Sequence, residues 1–240
     1  MQGWLPEAIL IAAAGRRLPC TGTAEYPMAG RRGGTFAAAG RGVTMCRWIA
    51  YSGTPVLLSE VLCQLWMHNG MISEFRRIRR DLALAVDPAW YADIEGSNDS
   101  EVMFFLALTF GLPEDPPGSV ARMAGFVETT AQSHGIGQPL QMTVAVTDGE
   151  RVWVFRCSSE GRSRSLYAST KVDALRALHP DVSFPRELSD ETRLIVSERL
   201  GDLPGAWNEV PGSSYGVVQP GGGVLHRFRP EYTAGSGARG

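Results

Sequence analysis

Three short stretches of this sequence hold residue types that can do chemistry together: Met45-Cys46, Asn69-Gly70 and Asp99. A cysteine that directly follows an initiator methionine becomes residue one once the methionine is removed. Its free α-amine, with a pKa of about 7.7–8.0, can then take the proton from its own thiol, so the nucleophile needs no separate histidine. Inside a chain the same nitrogen is an amide and cannot act as a base, and a lone cysteine on a buried strand is usually a small hydrophobe. In "MHNGMI", Asn69 and Gly70 set an amide side chain beside a glycine N–H, the donor pair that an oxyanion hole for a tetrahedral acyl intermediate requires. The same pair also reads as a plain Asn-Gly turn. Asp99 opens the helix "DSEVMFFLALTFGL", where the dipole already stabilises an acid. An acid there needs no function, but its carboxylate could also hold the α-ammonium of an amino-acid substrate.

The elements that must position these residues follow from periodicity. "CRWIAYSG" reads as a buried strand stopped by Gly53 and Pro55, and "VLLSEVL" as a short helix. Residues 73–86 place Phe75, Ile78, Leu82 and Ala85/Val86 on one helical face, with Arg76, Arg77, Arg79 and Arg80 on a solvated opposite face. Asn98 is suited to cap the next helix, with Glu101 as its capping-box partner. A further helix is expected at about 118–133, after Pro116-Pro117. From 140 the period drops to two. "QMTVAVTDGERVWVFRC" predicts a hairpin turning at Asp148-Gly149, followed by strands at "SLYAS", "RLIVSE", "SYGVVQ" and "GVLHRF" and a short helix at about 171–178. This order predicts an α+β layered domain built on antiparallel strands rather than a doubly wound parallel sheet.

Bulk composition excludes more than it selects. The 240 residues are 44% hydrophobic with a net charge of -2, and Lys171 is the only lysine, so nucleic-acid binding is not expected. Cys20, Cys46, Cys63 and Cys157 form no C-x-x-C pair, and His68, His134, His179 and His226 show no metal-binding spacing. No metal, no cofactor and no disulfide framework is expected, and a reducing cytoplasmic setting is the simpler reading. No apolar run approaches the ~18 residues of a membrane span. Residues 1–44 carry +3 against -5 for the remainder and lack periodic apolar spacing, so disorder is expected there. Such a leader is either a transit peptide or sequence upstream of the true start at Met45. The tail from 231 to 240 is expected to be loose.

Taken together, "MCRWIAYSGTPVLLSEVL", "LWMHNGMI", "NDSEV" and "LSDETRLIVSERLGDLPGAWNEVPGSSYGVVQPG" resemble the class II glutamine amidotransferases, specifically the small stand-alone YafJ-like family. The resemblance covers roughly residues 45–230. It implies the four-layer αββα sandwich of N-terminal nucleophile hydrolases, with Cys46 as nucleophile, Asn69 and Gly70 as oxyanion hole and Asp99 as ligand of the glutamine α-amino group. The implied substrate is glutamine or a γ-glutamyl compound, cleaved through a cysteinyl thioester, with any ammonia acceptor on a separate protein.

The chain also departs from the family pattern. Members carry several tens of residues between the first helix and the His-Asn-Gly segment, including strands of the first sheet and an arginine for the substrate α-carboxylate. Here Cys63-Gln64 run directly into Leu65-Trp66, and only 23 positions separate Cys46 from Asn69. Part of the first sheet is therefore expected to be deleted near 64–65. Arg47 is close in sequence but matches no family motif. Two expectations follow: an amidohydrolase by descent, and, for the chain as written, an inactive remnant or truncated gene model that serves at most as a binding domain.

Overall fold

The computed structural model describes residues 9–11, 49–52, 65–148, 151–170, 176, 193–199, 204–219 and 222–232. Among the described residues, two sheets and one layer of helices make up the architecture. The first sheet contains β1 (Ile9–Ile11), β2 (Ile49–Ser52), β6 (Tyr167–Ser169), β7 (Arg193–Val196) and β8 (Trp207–Glu209), in the order β1-β2-β7-β6-β8. Among the described strands of this sheet, only β1 runs parallel to its neighbour. The second sheet is antiparallel throughout. It contains β3 (Leu65–Ile72), β4 (Leu140–Thr147), β5 (Val152–Ser158), β9 (Ser214–Gln219) and β10 (Gly222–Arg227), in the order β10-β9-β5-β4-β3.

Strand periodicity explains how the layers stack. On β5, Trp153, Phe155 and Cys157 join the core against the helices, while Val152 and Val154 join a second core with Leu166, Ile195 and Val210 on the side of the first sheet. Both faces of β5 are thus covered, and every one of its residues is buried. The helix layer is α1 (Phe75–Leu84), α3 (Asp99–Thr109) and α4 (Pro116–Ser133), with the short α2 (Pro88–Tyr91) beside α3. Because α3 touches α1, α4 and β3, it is apolar around most of its circumference, and Val102, Met103, Phe105, Leu106 and Ala107 are all buried. Among the described residues the order of layers is helix, sheet, sheet, which is α+β as the sequence predicts. No described helix is long and apolar enough to cross a membrane.

Several local expectations change. Asn98 caps α3 by accepting from the Glu101 N–H at 2.8 Å, but Glu101 does not close a capping box. Its Oε1 instead accepts from the Glu95 and Gly96 amides, each at 3.0 Å, and so ties down the loop entering the helix. The arginine face of α1 is not wholly solvated: Arg79 donates to the Gly96 carbonyl and Arg77 to that of His134, both at 2.9 Å. Asn69-Gly70 is no turn, since the strand runs straight through it. Within the leader, Ile9–Ile11 forms a strand beside β2. The tail is held at its first two residues: the Glu231 N–H donates to the Ala121 carbonyl at 2.9 Å, and the Tyr232 hydroxyl donates to Glu128. The helices expected at "VLLSEVL" and at 171–178, the turn residue Gly149 and the rest of the leader and tail lie outside the described residues, save Arg176, which is helical.

Candidate functional site

The site grows from β3, the outer strand of the second sheet. Its side chains alternate. Trp66 and Ile72 pack into the helix-side core, which assigns His68 and Gly70 to that face, while Met67 packs into the inter-sheet core and assigns Asn69 there. Asn69 is 3% exposed, and its Oδ1 has no hydrogen-bond partner among the described residues. The strand registers carry its row across the sheet, from Asn69 to Thr143, Arg156 and Ser214. All four residues are buried, so a polar band crosses one end of an otherwise apolar inter-sheet face. Buried polar groups are in the great majority hydrogen-bonded. Thr143 Oγ1 donates to the Asn69 carbonyl at 2.9 Å, and the Arg156 guanidinium donates to Ser163 Oγ at 3.0 Å, to Glu209 at 2.8 Å and to the Val210 carbonyl.

The outer edge of β3 brings Asp99 to Gly70. Asp99 Oδ2 accepts the Ile72 N–H at 2.7 Å, so Ile72 turns its backbone away from β4. In an antiparallel strand alternate residues turn both backbone groups the same way, which places the Gly70 N–H on that same edge, where no described strand pairs, one step from the carboxylate. A side chain at Gly70 has no room, because a Cβ there would lie 1.9 Å from the Gln141 carbonyl oxygen.

His68 lies between these groups, with Nε2 3.4 Å from the Gln141 carbonyl. Burial lowers its pKa below the ordinary histidine value; the Asp99 charge and the Gln141 carbonyl oppose that shift, and Arg164 reinforces it. His68 is therefore a neutral neighbour of Asp99 near pH 7. The loop that carries Arg164 also links the two sheets: Ser163 meets Arg156, and Ser165 Oγ donates to the Ser197 carbonyl at 2.8 Å. Ser197 follows Val196, which pairs with Ile49, so the start of β2 approaches the end of the molecule that holds Asn69.

Of the residues expected from sequence, the structure brings Asn69, Gly70 and Asp99 to one end of β3. Cys46 and Arg47 lie outside the described residues, as do Cys20 and Cys63. Cys157 is no substitute nucleophile, since burial and then the Glu128 charge push its thiol up to about 12. His68, Thr143, Arg156 and Arg164 were not singled out from sequence. The one available signal was Arg156, a charged residue within the apolar run "VWVFRC".

No family model matches the sequence. A probable glutamine amidotransferase of Saccharomyces cerevisiae, DUG3, is 28% identical over 214 residues, covering 73% of this chain and 57% of the yeast protein. The chain thus spans little more than half the length of that curated relative. That alignment is longer than the portion of this chain it takes in, so it opens gaps here where the yeast protein has residues. Among solved structures, a glutamine aminotransferase class-II domain protein from Silicibacter pomeroyi superposes with a TM-score of 0.60 at 26% identity, covering 74% of each chain. The glutamine phosphoribosylpyrophosphate amidotransferase of B. subtilis aligns at 12% identity and a TM-score of 0.46, over 70% of this chain and 30% of its own. By the Silicibacter pomeroyi superposition, the fold of this chain is like that of class II glutamine amidotransferases.

Proposed function

We propose that this chain descends from a stand-alone YafJ-like amidohydrolase on the four-layer αββα sandwich, with a domain over 45–230, acting in the cytoplasm. After initiation at Met45 and its removal, the Cys46 α-amine takes the thiol proton and the thiolate attacks the side-chain amide carbon of glutamine or a γ-glutamyl compound. The negative oxygen of the tetrahedral intermediate accepts from Asn69 Nδ2 and the Gly70 N–H. Collapse expels ammonia or an amine, which takes the proton back from the α-ammonium, and water then hydrolyses the γ-glutamyl thioester. The Asp99 oxygen not engaged by Ile72 holds the substrate α-ammonium. Any ammonia acceptor lies on another protein.

The observation that carries this reading is the buried Asn69 amide beside the outward Gly70 N–H, with Asp99 fixed 2.7 Å from the Ile72 nitrogen on the same edge.

A specific observation favours a second reading for the chain as written, that of an inactive remnant or truncated gene model serving at most as a binding domain. Only 23 positions join Cys46 to Asn69, and the alignment with the yeast protein opens gaps in this chain. The two readings separate in one experiment. A diazo-ketone analogue of glutamine is expected to label Cys46 in a form with a family-like segment inserted between Gln64 and Leu65, and Cys46→Ala is expected to abolish the labelling. Asn69→Ala in that form should lower kcat by about 10²–10³ with little change in KM. Residues 46–240 without the insert should show no glutaminase activity. Labelling that survives Cys46→Ala removes Cys46 from its role; robust glutamine hydrolysis by the trimmed chain overturns the remnant reading.

A further inference from the structure

A cleft of about 780 Å³ opens at the other end of the buried polar row, between β5, β9, β10 and α4, and the chemistry above makes no use of it. Ser214 belongs both to the cleft lining and to the row that begins at Asn69. Three interstrand steps separate the two residues, or about 14 Å, so the cleft is distinct from the β3 edge. Its volume falls within the roughly 300–1,000 Å³ of small-molecule sites.

Charge is distributed across this cleft in an ordered way. Deep in its lining, Glu128 of α4 is 5% exposed. Ser159 Oγ donates to it at 2.6 Å and the Tyr232 hydroxyl donates to its other oxygen. Both donors are neutral, and among the described residues no cation pairs with Glu128. Its charge is felt nearby, where it helps push the Cys157 thiol and the Tyr232 hydroxyl each up to about 12. A buried carboxylate without a counter-charge is expensive, and a ligand cation relieves that cost. Two exposed arginines of the lining, Arg227 and Arg229, reverse the sign, and neither has a carboxylate partner among the described residues.

The walls are built in advance. Ser213, in the lining, is held in the left-handed region at φ 53°, with its carbonyl accepting from the Phe228 N–H at 2.9 Å. The opposite wall, the segment up to Tyr232, lies so close on α4 that a Cβ at Gly125 would come within 2.0 Å of the Glu231 carbonyl oxygen. A rigid cleft loses less freedom when it binds.

We infer that this cleft binds a small zwitterion, a free amino acid or short peptide, with its ammonium group on Glu128 and its carboxylate between Arg227 and Arg229. This inference does not depend on Cys46 or on hydrolysis.

Titration of the full chain with glycylglycine tests it, using calorimetry or ligand-observed NMR, with N-acetylglycylglycine and glycylglycinamide as probes that lack one charge each. Saturable binding of glycylglycine is expected, weakened about tenfold or more when either end is blocked. Arg227→Ala with Arg229→Ala changes only exposed side chains and should weaken glycylglycine to a similar degree at unchanged melting temperature. Glu128→Gln keeps an acceptor oxygen for one of the two hydroxyls, Ser159 or Tyr232, and offers an amide N–H to the oxygen of the other, and should erase the preference for the free amine over the acetylated one. Absence of saturable binding, equal affinity of the wild-type chain for the acetylated and free dipeptide, or indifference to the double arginine substitution overturns the inference.

Discussion

Replacing Gly70 by alanine tests the geometry of the β3 edge most directly. The added Cβ would sit 1.9 Å from the Gln141 carbonyl oxygen, 2.8 Å from its carbonyl carbon and 2.5 Å from His68 Nε2. Carbon and oxygen ordinarily approach no closer than about 3.3 Å. The imidazole can swing away, but the carbonyl belongs to the backbone of β4, whose Met142 pairs with Gly70 itself. Relief therefore requires β3 and β4 to part by more than about an ångström beside Asn69 and Asp99, which belongs at the upper end of the ~1–3 kcal/mol cost of overpacking. A loss of about 3 kcal/mol corresponds to a fall in Tm of roughly 6–12 °C for a chain of this size. Urea denaturation of Gly70→Ala alongside Met71→Ala measures it. Met71 is 42% exposed, and its truncation should cost under about 1 kcal/mol. Hydrogen exchange should rise selectively at the β3–β4 pairing. A Gly70→Ala midpoint within about 0.5 kcal/mol of the wild type would refute the described register at Gly70.

Two further outcomes concern titrating groups. The folded-state pKa of His68 lies below its unfolded value of 6.5, so the unfolded chain binds the extra proton first as pH falls. The stability attributable to a neutral His68 is complete above about pH 6.5 and declines as pH drops through the lowered value; thermal melts from pH 7.5 to 5 should show His68→Gln flattening that decline, and parallel curves would argue against it. The Cys157 thiol, with its pKa near 12, should alkylate with iodoacetamide at pH 8 far more slowly than a peptide cysteine in the same digest; equal rates would contradict its burial.

The elements closest to their ideal periods were legible in the sequence. The apolar face of α1, with Ile78 and Leu82 buried, and the alternation across β4 and β5 follow from spacing alone. What escaped was decided by partners distant in sequence. Asn69-Gly70 has a local preference for a turn, but pairing with Thr143 and Met142, over seventy residues on, keeps it extended. Glu101 satisfies the local pattern for a capping box, yet the loop entering α3 presents two amides that claim its carboxylate first. Arg156 stands out within its apolar run, but Glu209 and Val210, which hold it, come from a segment that nothing local connects to β5. Asp99 was identified as a helix-opening acid; its hold on the edge of β3 depends on how α3 packs, which no motif encodes.

The pairing of β1 with β2 sets two demands on the chain against each other. Ile9–Ile11 lies alongside Ile49–Ser52, on the side of β2 away from β7. While that strand is attached, the nitrogen of Cys46 is an amide and carries no base. A chain that begins at Cys46 gains the amine but surrenders the strand, leaving the outer backbone groups of β2 open to pairing with another molecule. If Cys46 is the nucleophile proposed above, catalytic competence and protection of the sheet edge compete for the same stretch of polypeptide, and a replacement strand on the flank of β2 would let one molecule have both.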